Sequence, residues 1–208
     1  MAVVTTSVDF WMDPASSWSW VTARWLEEVA TLRDIDVNWR VMCLAILHED
    51  DEVDGAYAEW LLNTWKPVRS VEAARAHSGD EKARQLLFAI GRRTNVERNR
   101  DVTAVIADSV AECGLPSLIA DAAETHDYDA AVRASHDSAM LLGGEGVGTP
   151  IIGIPGVRGE RVGYFGPVVT PTPRGDAAGR LWDGLLILAS TPGFYELKKE
   201  RRAKVWCD

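Results

Sequence analysis

Val8, Phe10 and Met12 alternate with Ser7, Asp9 and Trp11, a period of two that predicts a β-strand over 7–12 with one face buried. Asp13-Pro14 ends it. Trp18, Val21, Trp25, Val29 and Leu32 then recur at spacings of three and four. This is one apolar stripe of a helix that starts within Ser16–Ser19 and stops near Asp34. Ile35, Val37, Trp39 and Val41 alternate with Asp36, Asn38 and Arg40, a second strand. Strand, helix, strand implies a parallel pair joined by a right-handed crossover.

From Asp54 to Leu142 the period is helical throughout, as in Leu86, Leu87 and Ile90 or Val102, Val105, Ile106 and Val110. Pro67, Gly79, Asn99, Gly114-Leu115-Pro116 and Asp127 divide this block into several helices. After Gly143-Gly144, Ile151, Ile152 and Ile154, a Pro155–Gly159 turn and Val162–Phe165 read as a hairpin. Thr172-Pro173 then offers an N-cap and a first-turn proline to a last helix bearing Leu181, Trp182, Leu185, Leu186 and Leu188. Gly179 and Gly184 each cost that helix about 1 kcal/mol. The order is βαβ, a helical block, then ββα: an α/β protein with 1–53 and 143–208 as one domain and 54–142 inserted as an all-helical second.

With 22 Lys plus Arg against 31 Asp plus Glu, the 208-residue chain carries a net charge of −9. That balance argues against nucleic acid or an anionic membrane as partner. Its longest apolar runs fall far short of the roughly 18 residues a spanning helix needs. Met1–Thr6 has no basic and apolar leader pattern, so the cytoplasm is the expected location. Cys43, Cys113 and Cys207 are odd in number and lack metal-ligand or CxxC spacing, which implies reduced thiols and no metal site.

The stretch Asp9-Phe10-Trp11-Met12-Asp13-Pro14-Ala15-Ser16-Ser17-Trp18-Ser19-Trp20 resembles the DsbA-like family. It is most similar to its mycothiol-dependent nitroreductase branch, which reads D-F-W-x-D-P-x-C-P-W-C-W here. Further matches follow in order: Val41-Met42, Leu44–Leu47, Ser135-His136, Gly148-Thr149-Pro150, Phe165–Val168 and Pro173-Arg174-Gly175. The resemblance implies a thioredoxin fold interrupted by a helical domain, with the site at the mouth between the two and a cis proline at Pro150. This chain departs from the branch where it matters most. Ser16 and Ser19 replace both redox cysteines, and Ser17 replaces the proline. A hydroxyl can neither attack a disulfide nor store electrons as an S–S bond, so dithiol chemistry at this corner is excluded.

Ser16-Ser17-Trp18-Ser19 is also similar to the S-P-Y-S of kappa-class glutathione transferases and 2-hydroxychromene-2-carboxylate isomerases, where the first serine donates a hydrogen bond to a bound thiol. A helix start favours an anion in its own right, through unpaired N–H groups and about half a positive charge. The resemblance therefore implies a low-molecular-weight thiol cofactor, mycothiol or glutathione, held by Ser16, Ser17, Gly148, Thr149 and Pro150, with Ser16 and Ser19 catalytic. The plainer reading makes one serine an N-cap and the other a small packing residue.

His48, in Leu47-His48-Glu49-Asp50-Asp51, could move a proton near neutral pH or be a solvated loop side chain. Trp18 and Tyr57 match aromatic positions that the branch places around its substrate cavity, and a flat apolar wall suits a conjugated small molecule. His136 matches a family position on a helix and is the third pocket candidate, although a helix histidine is more often a packed or capping residue. The leading expectation is a thiol-dependent isomerase or S-transferase. A non-catalytic thioredoxin-fold module binding a ligand or partner, and a thiol-independent isomerase or cyclase of secondary metabolism using His48 or Tyr57, remain open. So does assembly as a homodimer.

Overall fold

The computed structural model describes residues 5–201 and 203–208. Residues 1–4, on which the leader reading partly rests, lie outside that range. The chain runs β1 (Thr6–Met12), α1 (Ser17–Leu32), β2 (Ile35–Val41), α2 (Leu44–Leu47), α3 (Gly55–Asn63), α4 (Trp65–Ser78), α5 (Asp80–Asn95), α6 (Val102–Glu112), α7 (Leu118–Asp121), a short 3₁₀ turn, α8 (Asp129–Gly143), β3 (Ile151–Pro155), β4 (Arg161–Phe165) and α9 (Gly175–Ala189). The sheet order is β2-β1-β3-β4. β1 and β2 are parallel, in register from Thr6 opposite Ile35 to Met12 opposite Val41, and the β3–β4 hairpin adds to β1 antiparallel. This is a thioredoxin-type sheet with helices α2 to α8 between its second and third strands.

The alternation in β1 decides the layers. Val8, Phe10 and Met12 are fully buried in the main core with Val21, Trp25 and Val29 of α1. Trp11 points the other way, into a smaller cluster with Met42, Ala139 and Ile151 beneath α8. On the α1 side, the Trp25 and Trp182 rings lie 6.3 Å apart and Trp25 Nε1 donates to Ala178 O at 3.2 Å. The helical block continues the same core, because Phe88 of α5 meets Trp39 of β2 at 4.8 Å and Trp20 of α1 at 5.9 Å.

Two predicted boundaries move. Pro67 does not separate helices; it sits in the first turn of α4, where its missing N–H would have no partner anyway, and the break falls at Thr64. Thr172-Pro173 does not open the last helix. α9 begins at Gly175, whose N–H donates to Glu28 Oε1 of α1 at 2.9 Å, while Thr172 Oγ1 donates to Asp208. A carboxylate from a neighbouring helix thus caps α9, so a local Ser/Thr cap is not needed.

The hairpin packs against α8 so closely that one side chain decides the fit. A Cβ on Gly163 would lie 2.6 Å from Leu142 Cγ and 2.7 Å from the Leu142 carbonyl oxygen. The second neighbour is backbone and cannot rotate away. Gly163→Ala is expected to destabilise the protein by about 3 kcal/mol, at the upper end of overpacking costs, measured by chemical denaturation. Gly184→Ala, where nothing lies within 4 Å, serves as the control that leaves stability equal or slightly raised.

Candidate functional site

The corner between β1 and α1 is built on a buried carboxylate. Asp13 is fully buried and accepts from Ala15 N at 2.8 Å and from Leu44 N at 2.7 Å. It therefore ties the turn before α1 to the start of α2. Burial pushes its pKa up to about 7 against the opposing effect of those two N–H groups. The sequence reading missed Asp13 as a functional group. An acidic residue directly after an apolar strand and before Pro-Ala-Ser was the available signal.

Ser16 is the N-cap of α1, its Oγ accepting from Ser19 N at 3.3 Å. That bond uses a lone pair and leaves the hydroxyl proton, which among the described residues has no acceptor. No acidic side chain stands in the first turn of α1, so within that turn no carboxylate offsets the positive end of the helix. Ser16 is partly open to solvent; Ser19 is fully buried, with its Oγ 3.1 Å from Thr149 Oγ1. This contact holds the Thr149–Pro150 segment against the first turn of α1, and the Thr149–Pro150 peptide is cis, as the resemblance implies.

Ser17 turns away from the mouth. Its hydroxyl donates to Asn95 Oδ1 at 2.9 Å, and Asn95 Nδ2 donates to Pro14 O and Gly91 O, each at 2.8 Å. Asn95, on α5 and 81 residues from Pro14, thereby fixes the corner from the helical block; nothing local in the sequence announces it. Gly148 lies under Phe165, where a Cβ would come within 3.3 Å of the ring. Ser16, Ser19, Gly148, Thr149 and Pro150 are thus gathered around the start of α1, with Trp18 beside them.

The remaining candidates stand elsewhere. His48 follows α2 and places Nδ1 2.6 Å from Asp51 Oδ2. It lines a cavity of about 360 Å³ with Ala45, Leu61, Leu62 and Trp65, to which Ser16 does not contribute. Tyr57 is half exposed, stacked on Trp60 at 5.6 Å and 6.4 Å from the His48 ring. His136 is buried, its Nδ1 accepting from Cys43 N at 3.4 Å, and burial lowers its pKa. It supports the end of β2. Cys43 beside it is pushed up to about 12 by burial and by Asp13, which keeps it a thiol at neutral pH. Among the described residues no group of His, Cys, Asp and Glu side chains is arranged to hold a metal ion, and no helix is long and apolar enough to cross a membrane.

Known proteins match this arrangement over most of its length. The Mycobacterium tuberculosis protein Rv2286c is 28% identical over 204 residues, 94% of this chain and 83% of that protein. The cytosolic disulfide reductase DsbM from Pseudomonas aeruginosa superposes with a TM-score of 0.56 at 19% identity, covering 88% of this chain and 100% of that one. Reduced DsbA from Mycobacterium tuberculosis gives 0.51 at 17% identity over 87% and 91% of the two chains. A 2-hydroxychromene-2-carboxylate isomerase gives 0.50 at 13% identity over 70% and 84%. These likenesses establish the DsbA-like thioredoxin fold. The family model described as the mycothiol-dependent nitroreductase Rv2466c matches residues 15–199, from the turn before Ser16 to beyond α9, and on that match the chain belongs to the Rv2466c-like family.

Proposed function

We propose that the protein binds a low-molecular-weight thiol, mycothiol or glutathione, with its sulfur at the start of α1, and uses the thiolate on a small conjugated electrophile. The carrying observation is the Ser16 hydroxyl: its oxygen is occupied by Ser19 N while its proton has no acceptor among the described residues, at a helix start with no acidic side chain in its first turn. A sulfur anion there gains a donor and the helix field, which lowers the thiol pKa and orients the sulfur. The mycothiol dependence named for the family model and the DsbM structure solved with GSH support a low-molecular-weight thiol as the guest.

In the reaction, a sulfur lone pair forms a C–S bond to the electrophilic carbon and pushes the π electrons onto the conjugated acceptor. Protonation of that anion by solvent with the C–S bond retained is S-transfer; rotation about the former double bond before protonation, followed by return of the same electron pair to re-form the double bond as the thiolate leaves, is isomerisation. The protein's own thiols take no part, and the reading places it in the reducing cytoplasm. Gly148, Thr149 and Pro150 offer backbone groups to the thiol's amide portion, and Trp18 lines the mouth.

Capping and sulfur binding are separable by substitution. Ser16→Ala loses both and costs about 1 kcal/mol of stability. Ser16→Asp keeps an acceptor for Ser19 N, so its stability holds, but it places a negative charge where the sulfur anion would sit. With mycothiol or glutathione and a panel of conjugated electrophiles, wild type is expected to show saturable thiol dependence, and both variants a loss of about 10²-fold, as for one oxyanion donor. Wild-type rates that do not depend on thiol, or a Ser16→Asp variant as active as wild type, overturn the reading.

A further inference from the structure

Beyond α9 the chain runs back across β4 to the start of α1, held at several points. Tyr164 Oη donates to Phe194 O at 3.2 Å, Trp206 N donates to Thr170 Oγ1 at 2.9 Å, and Thr172 Oγ1 donates to Asp208 Oδ1 at 2.9 Å. Val205 and Cys207 pack on the main core, and Cys207 Sγ lies 3.9 Å from Ser17 O. Within this segment the Arg201 guanidinium carbon stands 5.2 Å from the centre of the Trp18 ring and 5.7 Å from that of Phe165. Trp18 is the second residue of α1, two beyond Ser16, and Phe165 is the ring that covers Gly148. Arg201 therefore sits over an aromatic wall whose two rings flank the candidate sulfur position.

Among the described residues, the charge at Arg201 has no carboxylate partner. Arg33, Arg69, Arg84, Arg133 and Arg161 each hold a carboxylate; Arg201 is exposed, and among the described residues no carboxylate lies within ion-pair distance of it. In a chain of net charge −9, its neighbourhood in sequence, Lys198-Lys199-Glu200-Arg201-Arg202-Ala203-Lys204, is unusually basic. Contact with two rings holds the guanidinium over them without spending its N–H groups, and a guanidinium fork is shaped for a carboxylate.

We propose that Arg201 determines specificity: the electrophile accepted at this mouth is a conjugated carboxylate, its acid group taken in the Arg201 fork and its flat body laid along Trp18 and Phe165. This rests on reading the corner at Ser16 as the reaction site, and it names the substrate class for that site. Arg201 lies outside residues 15–199 matched by the family model, so the match itself carries no information on this selection.

Cinnamate and cinnamamide share one conjugated body and differ in charge, which makes them suitable probes by calorimetry or equilibrium dialysis without added thiol. Wild type is expected to bind cinnamate at least tenfold more tightly than cinnamamide. Arg201→Gln abolishes the preference, Arg201→Lys retains part of it, and Lys199→Gln leaves it unchanged. Equal binding of the two probes, binding of neither, or a preference that survives Arg201→Gln overturns the proposal. Failure of the thiol reading has a different signature: rates independent of thiol, with the carboxylate preference intact.

Discussion

Asp13→Asn is expected to remove a stability change of about 4 kcal/mol between pH 4 and pH 8 that wild type carries at this one residue. The Asp13 carboxyl has a pKa of 3.8 in an open chain and about 7 in the folded protein, where full burial disfavours its charge. The folded state thus retains a proton that the unfolded state releases. Below pH 3.8 both states are protonated and the contribution is fully present; it declines as pH rises and is lost once pH passes about 7. Other carboxylates act in the opposite direction, Glu81 among them, held down to about 2 by Arg84. The test is therefore the difference between wild type and variant in unfolding free energy, followed across pH. Asn supplies one oxygen where Asp13 uses two, so the variant leaves Ala15 N or Leu44 N unpaired and is less stable at pH 4. The gap is expected to narrow steadily toward pH 8. A gap that stays constant with pH would show that Asp13 ionises in the folded state as it does in water.

How well the fold could be read from the chain followed how local its causes are. Period-two alternation in β1 and β2, the Pro155–Gly159 turn and the uninterrupted helical period from Asp54 to Leu142 each depend on a burial pattern within one element, and each element formed. The two boundaries that moved have different causes. Gly175 opens α9 because Glu28, 147 residues away, caps it, and no window of local sequence contains that contact. Pro67 stays inside α4 for a local reason, because a first turn needs no proline N–H.

The same division runs through the candidate site. Ser16 and Ser19 stood out because they occupy a motif, and the structure gives them unequal places: Ser16 at a half-open helix start, Ser19 sealed against Thr149. Asp13 and Asn95 escaped notice because their roles arise from contacts with Leu44 and Pro14, which only the assembled fold brings near. His48 looked solitary in a run of carboxylates. The three-residue step from His48 to Asp51 makes them a hydrogen-bonded pair at a cavity of its own, so acid/base chemistry there would be spatially distinct from a thiol at Ser16.

Restoring sulfur to the corner gives the sharpest all-or-none result. The double variant Ser16→Cys, Ser19→Cys is expected to gain thiol–disulfide exchange that the wild-type motif cannot perform, with the thiol at position 16 titrating below the usual value of about 8.5. The reasons are already in place: the side chain at 16 is partly open at a helix start with no acidic residue in its first turn, while the side chain at 19 is fully buried against Thr149. Position 16 should therefore attack and position 19 resolve, closing a disulfide across the three-residue spacing. Sulfur is the weaker cap for Ser19 N, so the reduced variant should lose about 1 kcal/mol of stability. Thiolate absorbance against pH gives the titration, and reduction of a small aromatic disulfide gives the exchange rate. The same substitutions should abolish thiol-dependent addition, because the guest's sulfur and the protein's own would compete for one place. A thiol at position 16 that titrates at or above about 8.5 would show that the start of α1 does not favour an anion, and would remove the physical basis for a guest thiolate at Ser16.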